Sequence, residues 1–284
     1  MNEIPPRIRQ FLALLLSMPA MVWTADLLAG TPPLIIAAAV IPAILLATAI
    51  LLAQRGGGRG LGPLLFSLGW GALGAAWLSS SGNEMARPWI DGLAGTDGRG
   101  VTAVMVAPAL EEAAKALGLV LILLFGRAAL RDERDGIVYG ALIGTGFVCT
   151  ENLLYLGISM LLGGEDGLTR ALYLRGAIGG ATHVVFTACA GAVLGWSLRS
   201  AGRRAPGRAA LTGFLVAAAQ HVAWNALAAP MMGAALCGAK SGEACLAVPT
   251  NAAVFGEATG IALVFLAPGI ALLCVAWRAS RPAA

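Results

Sequence analysis

Eight long apolar stretches dominate the pattern of this 284-residue chain, at about 11–30, 34–53, 61–80, 101–126, 136–162, 171–198, 209–232 and 249–277. Each approaches or exceeds the roughly 20 mostly apolar residues that a helix needs to cross a bilayer. Short polar or glycine-rich segments separate them. "QRGGGRGLG" at 54–62 reads as a flexible turn and "GRAALRDERDG" at 126–136 as a solvated connector. "SSSGNEMARPWIDGLAGTDGRG" at 79–100 is the longest polar stretch and is expected to form an external loop. The pattern predicts an all-α, polytopic integral membrane protein of about eight transmembrane helices in a single domain, 1–284. Residues 1–100 would supply three scaffold helices and the external loop. Residues 101–232 would form a four-helix core, and 233–284 a second external loop and the last helix.

Composition agrees. The chain is 58% hydrophobic and 12% charged, with a mean hydropathy of +0.80. Soluble domains are about half apolar and about a quarter charged. The pI near 9.0 raises the question of nucleic acid, and charge placement answers it. Arg7, Arg9, Arg55, Arg59, Arg127, Arg131, Arg134, Arg199, Arg203, Arg204, Arg208, Arg278 and Arg281 all fall at alternate ends of the predicted spans, thirteen of the 19 basic residues. That is the positive-inside signature of eight spans with both termini cytoplasmic, so the surplus marks topology and excludes nucleic-acid binding. Residues 7–25 resemble a secretory leader; seven further spans favour an uncleaved first helix. Cys237 and Cys245 share the last external loop, either as a disulfide or as two free thiols. Gly136, Gly140 and Gly144 recur every four residues, and Gly191 and Gly195 repeat the spacing. Such smooth faces let helices pack closely in lipid.

Ionisable groups inside the spans are the exception that needs explaining. Glu111, Glu112 and Lys115 lie in the fourth span, Glu151 in the fifth, His183 in the sixth and His221 in the seventh. On straight helices the two glutamates sit about 15–17 Å along, Glu151 about 22 Å and each histidine about 18 Å. Four helices thus bring polar groups to a common depth, and the two histidines are the only ones in the chain. Each buried charge costs about 2.5–3.5 kcal/mol unless neighbours offset it. Glu111 and Lys115 are four apart and spaced to pair. Glu112 lies 100° around the helix, toward another neighbour. His221 shares a face with Asn225, and Glu151 with Tyr155.

A carboxylate and imidazoles around water can activate that water for attack on an amide. The same groups can instead hold zinc, with Glu112, Glu151, His183 and His221 as the ligands to expect. No H-E-x-x-H occurs, and no serine or cysteine sits in a nucleophile setting. Intramembrane Glu/His sets also serve as proton relays, so a proton-coupled transporter or channel is the competing class.

"EEAAK" at 111–115, "DGIVYGALIGTGFVCTENLLY" at 135–155, "GGATHVVFTACAGAVLG" at 179–195 and "HVAWNAL" at 221–227 together resemble the PrsW family of intramembrane proteases, related to the CAAX prenyl endopeptidase and bacteriocin-processing superfamily. The resemblance spans about residues 101–230. Where CAAX enzymes usually carry histidine, this chain has Glu151, which favours the PrsW branch. The resemblance implies a glutamic-type intramembrane endopeptidase with Glu111, Glu112, Glu151, His183, His221 and Asn225 as its catalytic set. Lys115, Asn152 and Phe147 are implied as auxiliary. Glu111 or Glu112 would be the general base, assisted by His183 or His221, with Asn225 and the other histidine on the oxyanion. Glu151 would orient the water or a histidine, and Lys115 would tune the glutamate pair. No cofactor is required by this mechanism, zinc being the alternative. The implied setting is a bacterial inner membrane, and the implied substrate a single-pass membrane protein such as an anti-sigma factor.

Overall fold

The computed structural model describes residues 6–54, 58–94, 98–125, 129–201, 206–236 and 251–279. Among them the chain is helical throughout, without a strand: α1 Pro6–Ala29, α2 Pro33–Ala53, α3 Leu61–Gly69, α4 Ala76–Ala94, α5 Gly98–Val101, α6 Ala107–Phe125, α7 Glu133–Ala171, α8 Gly180–Ala201, α9 Pro206–Leu236 and α10 Asn251–Ala279. Three π-helical turns, Trp70–Ala75, Thr102–Val106 and Leu172–Gly179, bridge α3 to α4, α5 to α6 and α7 to α8. Single π turns inside helices concentrate at functional sites, and the last two lead directly into the helices that carry the membrane-depth acids and the first histidine.

By length and apolar composition, four helical runs among the described residues can cross a membrane: Pro33–Ala53, Leu61–Ala94, Glu133–Ser200 and Thr259–Arg278. The run over Glu133–Ser200 is two antiparallel helical segments. At Gly164 the backbone takes φ 62° and ψ −150°, a conformation that costs glycine little. Beyond it the chain returns antiparallel. Gly136 lies against Gly191, Gly140 against Thr187 and Gly144 against His183, with backbone at each contact where a Cβ would stand. The four-residue glycine spacing therefore does what its pattern implied, letting α7 and α8 touch backbone to backbone. Helix α6 is not among the four runs. Glu111, Glu112 and Lys115 lower its apolarity, although it is the helix on which the site is built.

One expectation is corrected. The polar stretch at 79–100 does not leave the helix at Ser79: the run from Leu61 continues to Ala94, through Pro88. Its serines need no loop, because Ser79 bonds the Ala76 carbonyl within the helix. The short connection expected between 162 and 171 is a bend at Gly164 between helical segments. Cys237 and Cys245 lie outside the described residues; Cys149, Cys189 and Cys274 are free thiols.

The core is organised around α7. One face of α2, at Ile35, Ala39, Ala43 and Ala47, is buried and packs on α7, while Leu34, Ile41, Ile44 and Leu45 point outward, as suits a helix facing lipid. The turn at 70–75 fits α7 closely. Gly71 lies on the Ile143 carbonyl and Gly146 on the Leu68 carbonyl, and Thr150 donates to the Ala72 carbonyl at 2.6 Å. Trp70 Nε1 donates to the Ala114 carbonyl at 2.9 Å, anchoring α6 beside Lys115. Antiparallel α7 and α8, with α6 and α9 against them, then enclose the polar groups.

Candidate active site

Helix α6 presents Glu111, Glu112 and Lys115 inward because these three positions fall within little more than one turn, and all three are buried. Helix α7 contributes Glu151, α8 contributes His183 and α9 contributes His221; both histidines are at most 3% exposed. Their rings meet edge-on, with centroids 4.6 Å apart. Phe147 packs on His183 and Phe186 on His221, each pair 5.6 Å between centroids. The two imidazoles thus have aromatic walls that hold their orientation.

The two neighbouring glutamates have different surroundings. Glu112 is saturated. Its Oε1 accepts from Lys115 Nζ at 2.8 Å and lies 3.0 Å from His221 Nδ1. Its Oε2 lies 3.4 Å from the Thr187 hydroxyl, which also reaches the His183 carbonyl at 3.1 Å. Glu111 is open. Its Oε2 is buried with no hydrogen-bond partner, 3.7 Å from Lys115 Nζ and 3.8 Å from His221 Nε2. A buried acceptor left unsatisfied costs about 1–3 kcal/mol, so an orphan in the middle of a polar cluster marks a place where something else binds.

Partner chemistry assigns the tautomers. A carboxylate only accepts, so His221 donates Nδ1–H to Glu112 and turns its Nε2 lone pair toward Glu111. Lys115, ion-paired with Glu112, donates to His183 Nδ1 at 2.9 Å, which leaves the proton of that ring on Nε2. His183 Nε2 in turn lies 3.2 Å from Glu151 Oε2. Lys115 is fully buried, and its ammonium stands 3.8 Å from the Phe147 ring centroid, a favourable cation–π position.

Glu111, His183 and His221 each offer one ligand atom, all within 4.8 Å of one another. This trio differs from the ligand set of Glu112, Glu151, His183 and His221 expected from sequence. Glu112 is spent on Lys115 and His221, and Glu151 on a guanidinium. The i,i+4 pairing expected between Lys115 and Glu111 is also secondary, since the i+3 partner Glu112 is 0.9 Å closer.

Asn225 stands apart from this cluster. Its amide donates to the Ala103 carbonyl at 2.9 Å, tying α9 to the π turn at 102–106. Asn152 follows Glu151 and is buried, with Oδ1 unpartnered. Two contributors escaped the sequence reading. Arg175, on the π turn at 172–179, reaches Glu151 Oε1 with Nη2 at 2.6 Å. Thr187 lies one turn beyond His183. Arg175 carried a usable signal: it is a charge inside a predicted span, and Glu151 had no counter-ion on its own helix.

A model of the PrsW family, described as an intramembrane metalloprotease family, matches residues 60–265. No curated protein and no solved structure matches the chain. The matched stretch runs from α3 into α10 and contains every residue of the buried cluster. With α-helical membrane architecture around the acids and imidazoles, the chain belongs to the PrsW family of intramembrane proteases.

Proposed function

We propose that the protein is an endopeptidase that cuts a membrane-anchored protein within the bilayer, with Glu111 as general base and Glu112 as the residue that orients His221. The observation that carries this reading is the contrast at positions 111 and 112: one buried carboxylate oxygen is orphaned beside an imidazole lone pair, while its neighbour is fully engaged. Glu111 Oε2 takes a proton from water as the water oxygen attacks the amide carbon, and passes that proton to the leaving amine. Asn225, one turn beyond His221, becomes an oxyanion donor when its amide exchanges the Ala103 carbonyl for substrate.

The donor set fits a divalent cation. His221 presents a lone pair held by Glu112, the carboxylate–histidine arrangement that metal sites use, and Glu111 supplies an oxygen. His183 completes the trio when it exchanges one of its present contacts. Counted as ionised, Glu111, Glu112 and Glu151 face two fixed cations, Lys115 and Arg175, so the buried cluster carries a net charge of −1 and attracts a cation. Zn²⁺ bound there would polarise the scissile carbonyl and lower the pKa of a water. A proton would fill the same deficit in the metal-free, glutamic-type form of the mechanism. The eight-span topology, cytoplasmic termini and a bacterial inner membrane belong to this proposal, as does a single-pass substrate such as an anti-sigma factor.

The test is cleavage of single-pass substrates by the protein purified into liposomes. Turnover lost to a chelator and restored by zinc supports the metal-assisted form; turnover indifferent to chelation supports the glutamic one. Proton flux without any peptide cleavage would replace the protease reading with the transporter.

A further inference from the structure

Glu151 is held from outside its own helix, and the residue that holds it has no role so far. Arg175 Nη2 lies 2.6 Å from Glu151 Oε1. The same guanidinium stands 3.8 Å from the centroid of the Tyr155 ring. Tyr155 is one turn beyond Glu151 on α7, so the acid and the ring form a two-sided cradle in which the planar cation is stacked and hydrogen-bonded together. Arginine suits this cradle where lysine does not, since lysine offers neither a planar face nor a fork of donors. With Oε1 fixed on Arg175, the other oxygen, Oε2, is left 3.2 Å from His183 Nε2. That oxygen is buried and forms no well-directed hydrogen bond of its own.

We infer that Arg175 is a positioning residue: by clamping Glu151 Oε1 it keeps Oε2 against His183 Nε2 and so sets how that imidazole is presented to Glu111 and His221. The chain of contact runs from Arg175 through Glu151 to His183, whose other nitrogen is taken by Lys115. Both ring nitrogens of His183 are therefore governed by partners on different helices, α6 on one side and α7 with the π turn on the other. His221 stands on a separate support, Glu112. A neutralising role alone would ask only for a positive charge near Glu151; the stacked cradle asks for a fixed direction.

This rests on the hydrolase reading for its meaning in catalysis but not for its test. The chain contains two histidines, so ¹⁵N-histidine labelling of the full-length protein in bilayers yields four ring-nitrogen signals, assigned with His221→Asn. In Arg175→Gln the His183 signals move and those of His221 stay, while cleavage loses about 10–100-fold in kcat with KM nearly unchanged. Arg175→Lys keeps the charge, yet its His183 signals still depart from wild type. On a Glu151→Gln background, Arg175→Gln causes no further shift of His183 and no further loss of turnover. Tyr155→Leu loosens the cradle without touching the ion pair and moves the His183 signals in the same direction, a second route should Arg175→Gln fold poorly. Unchanged His183 signals in a folded variant, or losses that add to those of Glu151→Gln, overturn the inference. Absence of peptide cleavage by the wild type would refute the protease and leave the spectra to decide the positioning role.

Discussion

Two clusters of buried carboxylates occur among the described residues, and they are built differently. Near the first turns of α3 and α7, Asp135 is fully buried and bound by two arginines: Arg59 Nε at 2.8 Å and Arg131 at 2.7 Å. Beside it Glu133 is bound by Arg199. The Asp132 side chain caps α7 by accepting from the Asp135 amide. Arg134 donates to the Trp277 carbonyl at 3.0 Å and stacks on the Trp277 ring. Hydrogen bonding to Asp135 raises the Arg131 guanidinium above its ordinary value. Both buried acids here have their own arginine, and no imidazole takes part. In the intramembrane cluster three glutamates share one lysine and one arginine. Two imidazoles stand between them, and oxygens of Glu111 and Glu151 are left without hydrogen bonds. In the first arrangement both buried acids are paired with arginine, Arg59 Nε alone lacking a well-directed hydrogen bond, and the pairs tie α7 to α8 and to the chain entering α3, while Arg134 ties it to α10. The second is left incomplete, as a site that must receive water and a substrate has to be.

Substitutions at matched acids sharpen this contrast. Glu111→Gln removes the open carboxylate proposed as the base and is expected to lower cleavage about 10²–10⁴-fold while thermal unfolding in detergent stays where it was. Asp135→Asn is expected to do the opposite. It leaves Arg59 and Arg131 without their anion in a buried place, at a cost of about 3–5 kcal/mol, read as a lower unfolding midpoint with kcat per folded molecule unchanged. Equal effects of the two on stability would erase the distinction between the clusters. Glu112→Gln lies between them: loss of the His221 support is expected to cost about 10–100-fold in zinc affinity or turnover, measured by zinc titration and initial rates. The smallest effect is expected from Arg131→Gln. Its side chain is half exposed and Arg59 remains on Asp135, so the change in stability stays under about 1 kcal/mol. A larger shift of the unfolding midpoint would show that Asp135 depends on both arginines.

Much of the site was legible before the fold. Charge inside an apolar span is expensive enough that Glu111, Glu112, Lys115 and Glu151 stand out at once, and the two histidines agree with them in depth by helix rise alone. The glycine spacing in α7 and α8 announced close packing, and the structure uses it for that. The misreading at 79–100 has a physical cause. Polarity was taken as the end of a helix at Ser79, whereas a helix satisfies its own backbone and does not need apolar side chains to continue. Arg175 escaped notice because its partner is 24 positions away, on α7.

Sequence by itself determined the class of the protein and its chemical inventory: apolar length and charge placement dictate membrane helices, and the family motifs name the acids and imidazoles. Only tertiary structure decided which glutamate is open and which is spent. Neighbours on one helix differ by 100° of rotation, and what each meets depends on His221 and Thr187, which arrive from α9 and α8. The same holds for the proton positions on the two imidazoles, which follow from donors and acceptors on other helices and from nothing local to either histidine.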